Sequence, residues 1–136
     1  MKYILLMSGT KAGVDTYRAW SQRDIEEHMA VLGRFNNELT ESGEFVATQG
    51  LAGPNEAKVV RGEKHGMPVT DGIFPESKEF LLGYWIVDVV SPERAYAIAA
   101  RISAAPHRSL PNQKPEFEDE YHGYTYRNSA RPIDEG

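Results

Sequence analysis

The chain has 136 residues, a formal net charge of −5 and no cysteine. That length buries a core without disulfide or metal staples, so we predict a single domain over residues 1–136. The missing cysteines exclude disulfides, thiolate metal sites and cysteine nucleophiles, and they fit a cytoplasmic protein. An acidic balance without a basic cluster argues against nucleic-acid partners and anionic membrane surfaces. The apolar run at 3–7 is too short for a signal-peptide core or a membrane span.

The first half of the chain predicts a strand, a helix and a second strand. Consecutive apolar residues in 1–8 favour a central strand that is buried on both faces. Residues 9–20 are expected to form a loop or a short irregular helix, and Asp24 is expected to cap the long helix that follows. Gly43 ends that helix as a left-handed C′ residue, before a strand at 45–51. The apolar stripe of the helix comprises Ile25, Met29, Leu32, Phe35 and Leu39.

The middle of the chain predicts a hairpin followed by a long strand. Short strands at 58–62 and 67–70 are expected to pair around a polar tip. The apolar run Phe80–Val90 then predicts the principal strand of the sheet. Its side chains alternate, with Tyr84 and Ile86 on one face and Trp85, Val87 and Val89 on the other.

A second helix is expected directly after this strand. Ser91 is suited to the N-cap and Pro92 to the first helical position, because the amide that proline lacks has no helical partner there. The helix is expected to break at Pro106. Its apolar stripe comprises Ala95, Ile98, Ala99 and Ile102.

Residues 1–104 are expected to form the core of the domain, and the rest of the chain is expected to extend from it. Residues 105–129 form an acidic extension punctuated by prolines, and 130–136 form a tail. Within the extension, aromatic residues alternate with small or polar ones at 121–126, which predicts a half-buried final strand.

These elements predict an α+β domain with a ferredoxin-like βαββαβ order and an inserted hairpin. Each helix has a single apolar stripe, so both are expected to cover the same face of a mainly antiparallel sheet. The other face would then expose apolar side chains such as Tyr84 and Ile86 to water. We therefore predict a homodimer that joins two sheets through their open faces.

Several stretches resemble the YCII-related, DGPF-domain family. The signature is carried by the segment VTDGIFPESKE at 69–79, followed by GY at 83–84 and IVD at 86–88. The opening KYILLMSG also matches. The proline of the name motif is Ile73 here, and a proline follows two positions later at Pro75.

The resemblance implies a ferredoxin-like fold that pairs as a dimeric α+β barrel, and it implies no settled activity. For the wider family, enzymatic roles have been proposed through a histidine on the first helix that works with an aspartate. His28, within EHMAVL, matches the setting of that histidine. No aspartate follows the second predicted strand here, so Asp71 is our candidate for the partner.

His28 and Asp71 each allow a functional and a purely structural interpretation. His28 on the apolar stripe suits a general base near neutral pH, especially beside an orienting carboxylate. Alternatively, it is a histidine at the edge of the core that bonds a backbone carbonyl. Asp71 either completes an acid–base pair with His28 or only stabilises the turn that it forms with Gly72.

Three further residues are candidate substrate contacts. Thr70 and Lys78 are placed to bind an anionic group at the mouth of a cleft, although the charged run at 76–79 also suits solvent. Tyr84 is expected first in the core or the dimer interface and secondarily in a ligand wall. The scattered histidines lack metal-ligand spacing, so no metal site and no cofactor are predicted.

Two functions of different class follow. The first is a small enzyme that performs proton transfer on a small polar molecule in a cleft at the barrel mouth, with His28 and Asp71 as the catalytic pair. The second is a non-catalytic dimeric module that binds a small molecule or a protein in regulation. A His28 nitrogen near a carboxylate in a pocket favours the enzyme, whereas a His28 sealed by apolar contacts favours the module.

Overall fold

The computed structural model of the chain describes residues 1–63, 65–66, 69–72, 79–104 and 127–136. Over these residues the chain forms three α-helices and six strands. In chain order they are β1 (Lys2–Gly9), α1 (Lys11–Arg18), α2 (Gln22–Glu41), β2 (Phe45–Gly50), β3 (Lys58–Arg61), β4 (Val69–Gly72), β5 (Phe80–Asp88), α3 (Pro92–Ala104) and β6 (Arg127–Pro132). Within this described part of the chain, no helix has the length and apolar character that a membrane span requires.

Four of the strands build one antiparallel sheet in the order β2–β5–β1–β6. β1 pairs with both β5 and β6, and β5 also pairs with β2, so β1 and β5 are the central strands. β3 and β4 pair separately as a two-stranded antiparallel hairpin. With α2 after β1 and α3 after β5, the predicted ferredoxin-like βαββαβ order with a hairpin insert is confirmed.

The core lies between the sheet and the helices. On β1 the alternate residues Tyr3, Leu5 and Met7 are buried, whereas Ile4 and Leu6 on the other face are half-buried. The described part of a single chain therefore buries only one face of β1, and burial of its other face stays a prediction.

The principal strand, β5, alternates as predicted. Trp85 and Val87 face the helices and are buried, whereas Tyr84 and Ile86 point the other way and are half-buried. Ile86 lies opposite Ile4 on β1, and Tyr84 lies opposite Leu6. These four side chains form the centre of the face that carries none of the described helices, which we call the open face.

The helix α3 begins and packs as predicted. The Ser91 hydroxyl caps it by accepting a hydrogen bond from the Arg94 amide at 3.2 Å. β6 is held against this helix by Asn128, whose side-chain amide donates to the Ala99 carbonyl at 2.7 Å. The predicted break at Pro106 lies outside the described residues. The four predicted stripe residues are all buried: Ala95, Ile98, Ala99 and Ile102.

The start and the stripe of α2 differ from the prediction, and residues 11–18 before it form a regular short helix. α2 is capped by Ser21, whose hydroxyl accepts from the Asp24 amide at 3.1 Å. Serine and aspartate cap helices about equally well, and Asp24 lies in the first turn, so its predicted capping role is wrong. Met29, predicted in the stripe, is 56% exposed, and His28 is buried instead.

The C-terminal end of α2 is fixed relative to α3. Gly43 follows α2 in the predicted left-handed conformation, with φ at 76°. The next residue, Glu44, accepts two hydrogen bonds from the Arg94 guanidinium, at 2.7 and 2.8 Å. These hydrogen bonds hold the pKa of Glu44 below its usual range. A second ion pair, between Arg101 and Glu38 at 2.7 Å, joins exposed flanks of the two helices.

The last strand of the sheet in the described residues follows directly after the predicted one. β6 is Arg127–Pro132, whereas the predicted strand at 121–126 lies outside the described residues. The sequence of β6 has little apolar character to reveal it, and its strand conformation depends on pairing along β1, with Ala130 packed on the core. In the described residues the hairpin strand β4 is Val69–Gly72, and positions 67–68 of the predicted strand lie outside them.

Gly83 marks a close approach between β5 and β2. It lies opposite Gly50, and a Cβ at position 83 would come within 2.7 Å of the Gln49 carbonyl oxygen. We expect Gly83→Ala to lower the free energy of unfolding by about 1–3 kcal/mol, because the backbone of β2 would have to move. Gly50→Ala, whose Cβ meets nothing within 4 Å, is the matched control and should cost little. Urea unfolding measures both, and equal losses would contradict this steric explanation.

Candidate functional site

His28 is a buried polar side chain of α2, with 3% of its surface exposed. Tyr17, near the end of α1, and Trp20, just before α2, pack against the imidazole. Their ring centroids lie 6.1 Å and 5.4 Å from the imidazole centroid, both in edge-to-face orientation. Tyr17 and Trp20 therefore form an aromatic wall that shields His28 from water.

Burial determines the charge of His28. Desolvation lowers the pKa of the imidazole below its usual range, because a poorly hydrated site disfavours the cation. At neutral pH the ring is uncharged, with one nitrogen that accepts a hydrogen bond and one that donates. A neutral imidazole of this kind is a proton acceptor rather than a fixed cation.

The lowered pKa predicts that acid destabilises the fold. The unfolded chain protonates His28 more readily than the folded one does, so unfolding becomes more favourable as the pH falls below about 6.5. The contribution of this group to stability is complete above that value and declines beneath it. In urea unfolding between about pH 7.5 and about pH 5, His28→Phe should flatten the pH dependence of stability. Identical slopes for the wild type and His28→Phe would contradict the burial of this ring.

A cleft of about 370 Å³ opens between α2 and the sheet, a volume at the lower end of the range for small-molecule sites. α2 contributes His28, Leu32 and Asn36, which are spaced four residues apart and so lie on one side of the helix. Strands β1, β2 and β5 contribute to the opposite wall, and most of the lining is apolar. The other lining residues are Met7, Tyr17, Met29, Gly33, Thr48, Gln49, Gly50, Leu51, Leu82, Gly83 and Trp85.

Two polar side chains of the cleft are held by β5. The Trp85 indole nitrogen donates to Asn36 Oδ1 at 2.8 Å, which joins the sheet to α2. An indole nitrogen only donates, so this contact fixes the Asn36 amide with its oxygen toward Trp85 and leaves its NH₂ group as a donor. The Thr48 hydroxyl donates to the Tyr84 carbonyl at 2.9 Å. The cleft therefore presents an oriented amide donor among apolar walls.

His28 also borders a second cavity, of about 290 Å³. Asp24, Glu27 and Arg34 line this cavity, on the flank of α2 away from Asn36. The imidazole therefore stands between a mainly apolar cleft and a cavity with charged walls. Such a position suits proton exchange, because the charged side can return a proton to solvent. Among the described residues, no three histidine or acidic side chains are grouped as metal ligands would be.

The predicted site residues fall in different parts of the fold. His28 lines the cleft. Thr70 and Asp71 belong to β4, and the structure describes their backbone but not their side chains. Lys78 lies outside the described residues. Tyr84 lies on the open face of the sheet, opposite the face that borders the cleft.

Asn36 and its partner Trp85 are cleft residues whose role the sequence did not reveal. Their hydrogen bond joins residues 49 positions apart, so no local pattern indicates it. A signal existed for Asn36 alone, because it follows His28 and Leu32 at four-residue spacing along the apolar flank of the helix. The hydrogen bond from the Trp85 indole holds the Asn36 side chain in one orientation, which the sequence does not show.

The fold and the cleft define an α+β domain of ferredoxin-like topology with a neutral histidine between helix and sheet. The YCII-related domain model matches residues 1–107, and the chain belongs to that family. It is similar to an uncharacterized protein of Rhizobium meliloti (strain 1021), 31% identical over 87 residues, which cover 64% of this chain and 70% of that protein. The fold class and the family predicted from the sequence are both confirmed. The matched range includes α2 and the cleft strands, so the cleft lies in the part that defines the family.

Proposed function

We propose that the cleft beside His28 binds a small organic molecule with a mainly apolar body and that His28 exchanges a proton with it. The observation that carries this proposal is a histidine almost fully buried beside aromatic rings that nevertheless lines a cleft. Burial keeps the imidazole neutral, so it can accept a proton without first losing one. The mainly apolar walls favour a less polar ligand than the sequence indicated.

The proposed chemistry is proton transfer, with isomerisation, elimination and hydrolytic cleavage as the reactions it serves. A proton of the bound molecule moves to the accepting nitrogen of His28, and the electron pair of the broken bond stays on the molecule. The imidazolium is then returned to its neutral form by release of the proton toward the second cavity. Asp24 and Glu27 on the wall of that cavity support such a route.

Asp71 is the proposed orienting partner of His28, with Thr70 and Lys78 at the mouth of the cleft. The support for these roles is the family signature at 69–79, which includes all three residues. β4 ends within this segment and β5 begins directly after it, and β5 supplies part of the cleft wall. The segment therefore connects the hairpin to the proposed site.

We also propose that the protein is a homodimer joined through its open face. Ile4 opposite Ile86 and Leu6 opposite Tyr84 form a contiguous, half-buried apolar surface on the two central strands. A second copy that covers this surface removes it from water, and a two-fold axis lets the same patch serve both subunits. Tyr84 then belongs to the interface before it belongs to any ligand wall.

A non-catalytic binding module is the second candidate. The edge-to-face packing of Tyr17 and Trp20 on His28 favours it, because rings held in this way can form a rigid wall without any proton transfer. Both candidates require an occupied cleft. They differ in whether the bound molecule is chemically changed.

A thermal-shift screen of small metabolites tests what both candidates share. Compounds that bind should raise the Tm of the wild type, and the rise should disappear in His28→Phe, which keeps an aromatic ring beside Tyr17 and Trp20. Asp71→Asn tests the proposed partner in the same way. A bound compound that the wild type consumes and His28→Phe does not identifies the enzyme, and an unchanged compound identifies the module. Equal stabilisation of the wild type and both variants would refute the assigned site.

A further inference from the structure

Gly33 occupies the interior of α2 without a structural reason for glycine. The helix runs over Gln22–Glu41, and glycine is among the least favourable residues for a helix interior. Its φ is not in the left-handed region, unlike that of Gly43. Within the described part of the chain, a Cβ at position 33 would meet nothing within 4 Å, unlike a Cβ at Gly83. Neither the backbone nor the packing therefore requires glycine here, and yet Gly33 lines the cleft.

His28 and Asn36 mark the two ends of the wall that α2 contributes to the cleft. They are separated by two steps of four residues, which corresponds to about 12 Å along the helix axis. Leu32 lies between them, and Gly33 beside it adds no side chain to this stretch. The wall that α2 contributes to the cleft is therefore longer than a very small metabolite.

We propose, building on the proposed function, that Gly33 keeps this stretch clear for an elongated apolar molecule with an uncharged carbonyl group at one end. The carbonyl oxygen accepts a hydrogen bond from Asn36 Nδ2, which the contact with Trp85 leaves as a donor. The apolar body extends across Gly33 toward His28, and the group that gives up the proton to His28 lies at that second end of the molecule. The ligand class is a straight-chain or flat ketone, ester or amide about 12 Å long.

The fixed orientation of the Asn36 amide gives this end of the cleft its specificity. The amide oxygen already accepts a hydrogen bond from Trp85, so the group that faces a ligand is the NH₂ donor. A carbonyl oxygen matches that donor, whereas an alkylammonium group carries only donors of its own. A ketone should therefore bind where an amine of equal length does not.

Titration of the full chain with butanone, hexanone, octanone and decanone tests this assignment, with NMR of the Asn36 side-chain amide as the readout. Affinity should rise about threefold to fourfold per added methylene until the chain spans the distance to His28. Decylamine should bind at least about tenfold more weakly than decanone.

Gly33→Ala separates a functional glycine from a structural one. The variant should unfold at a higher urea concentration than the wild type and yet bind decanone at least about tenfold more weakly. Asn37→Ala, on the exposed side of the same helix, is the control and should bind decanone as the wild type does.

Three results would overturn the assignment. Gly33→Ala could bind decanone as tightly as the wild type, or it could unfold more easily, in which case the fold itself requires the glycine. The ketones could also leave the Asn36 amide signal unchanged. The proposed function fails separately, if no compound of any class gives a thermal shift that depends on His28. If other compounds give a thermal shift that depends on His28 while the ketones do not bind, only the proposed ligand class is refuted.

Discussion

Ile86→Lys is expected to convert the proposed dimer, with twice the 15.2 kDa chain mass, into a monomer. Ile86 lies opposite Ile4 at the centre of the open face, so the substitution places an unpaired charge in the middle of the proposed interface. An uncompensated charge in a buried site costs about 3–5 kcal/mol, so the Kd of the dimer should rise by at least about a hundredfold. The lysine reaches solvent in the monomer, so the fold should survive.

Sedimentation velocity at matched concentrations measures this change, with circular dichroism as the check on folding. Val90→Lys is the control, because Val90 is 90% exposed in the turn between β5 and α3 and a lysine there should leave the dimer intact. A wild type that sediments at the mass of one chain at high concentration would contradict the dimer. A dimeric Ile86→Lys variant would place the interface elsewhere.

Trp85→Ala is expected to lower the free energy of unfolding by about 3–5 kcal/mol, the usual range when a buried tryptophan is truncated. Trp85 is 4% exposed and belongs to the hydrophobic core of the chain. It also donates the hydrogen bond that orients Asn36. The substitution should therefore both open a cavity in the core and release the amide of the cleft.

A double-mutant cycle separates these two effects. Trp85→Phe keeps most of the packing but leaves Asn36 Oδ1 without its indole donor, which should cost about 1–3 kcal/mol. Adding Asn36→Leu removes the acceptor that lost its donor, so the double variant should recover part of the lost free energy of unfolding. Urea unfolding of the two single variants and the double variant gives the coupling. Strictly additive losses would show that the hydrogen bond contributes nothing of its own.

The helix α3 shows what the sequence could predict. Its cap at Ser91, its start at Pro92 and the burial of its four stripe residues are confirmed. These features are local, because a cap, a proline at the first position and a helical period lie within a few consecutive residues. The βαββαβ order could be predicted for the same reason, since it follows from the sequence of local patterns.

Contacts between distant residues explain what the sequence could not predict. β6 is a strand because its backbone pairs with the edge of β1, whereas its own residues show little of the apolar alternation that predicts a strand. His28 and Met29 are neighbours, and helical periodicity placed both on the apolar stripe of α2, whereas only His28 is buried. His28 is the buried one because Tyr17 and Trp20 pack against its imidazole.

The candidate site was predicted only in part. His28 could be singled out because a histidine on an apolar helix flank is unusual, and the family resemblance pointed to the same residue. The pairing of Asn36 with Trp85 could not be predicted, because it depends on how α2 crosses β5. The roles of Asp71, Thr70 and Lys78 stay predictions.

Whether a ligand rests against a neutral His28 is tested most directly by NMR titration of its imidazole with pH, with and without a compound from the screen. We predict that the ring of the free protein titrates below about 6.5 and that the bound compound changes both its signals and its pKa. A ring that titrates at or above that value and does not respond to any compound that stabilises the protein would contradict both the burial and the site.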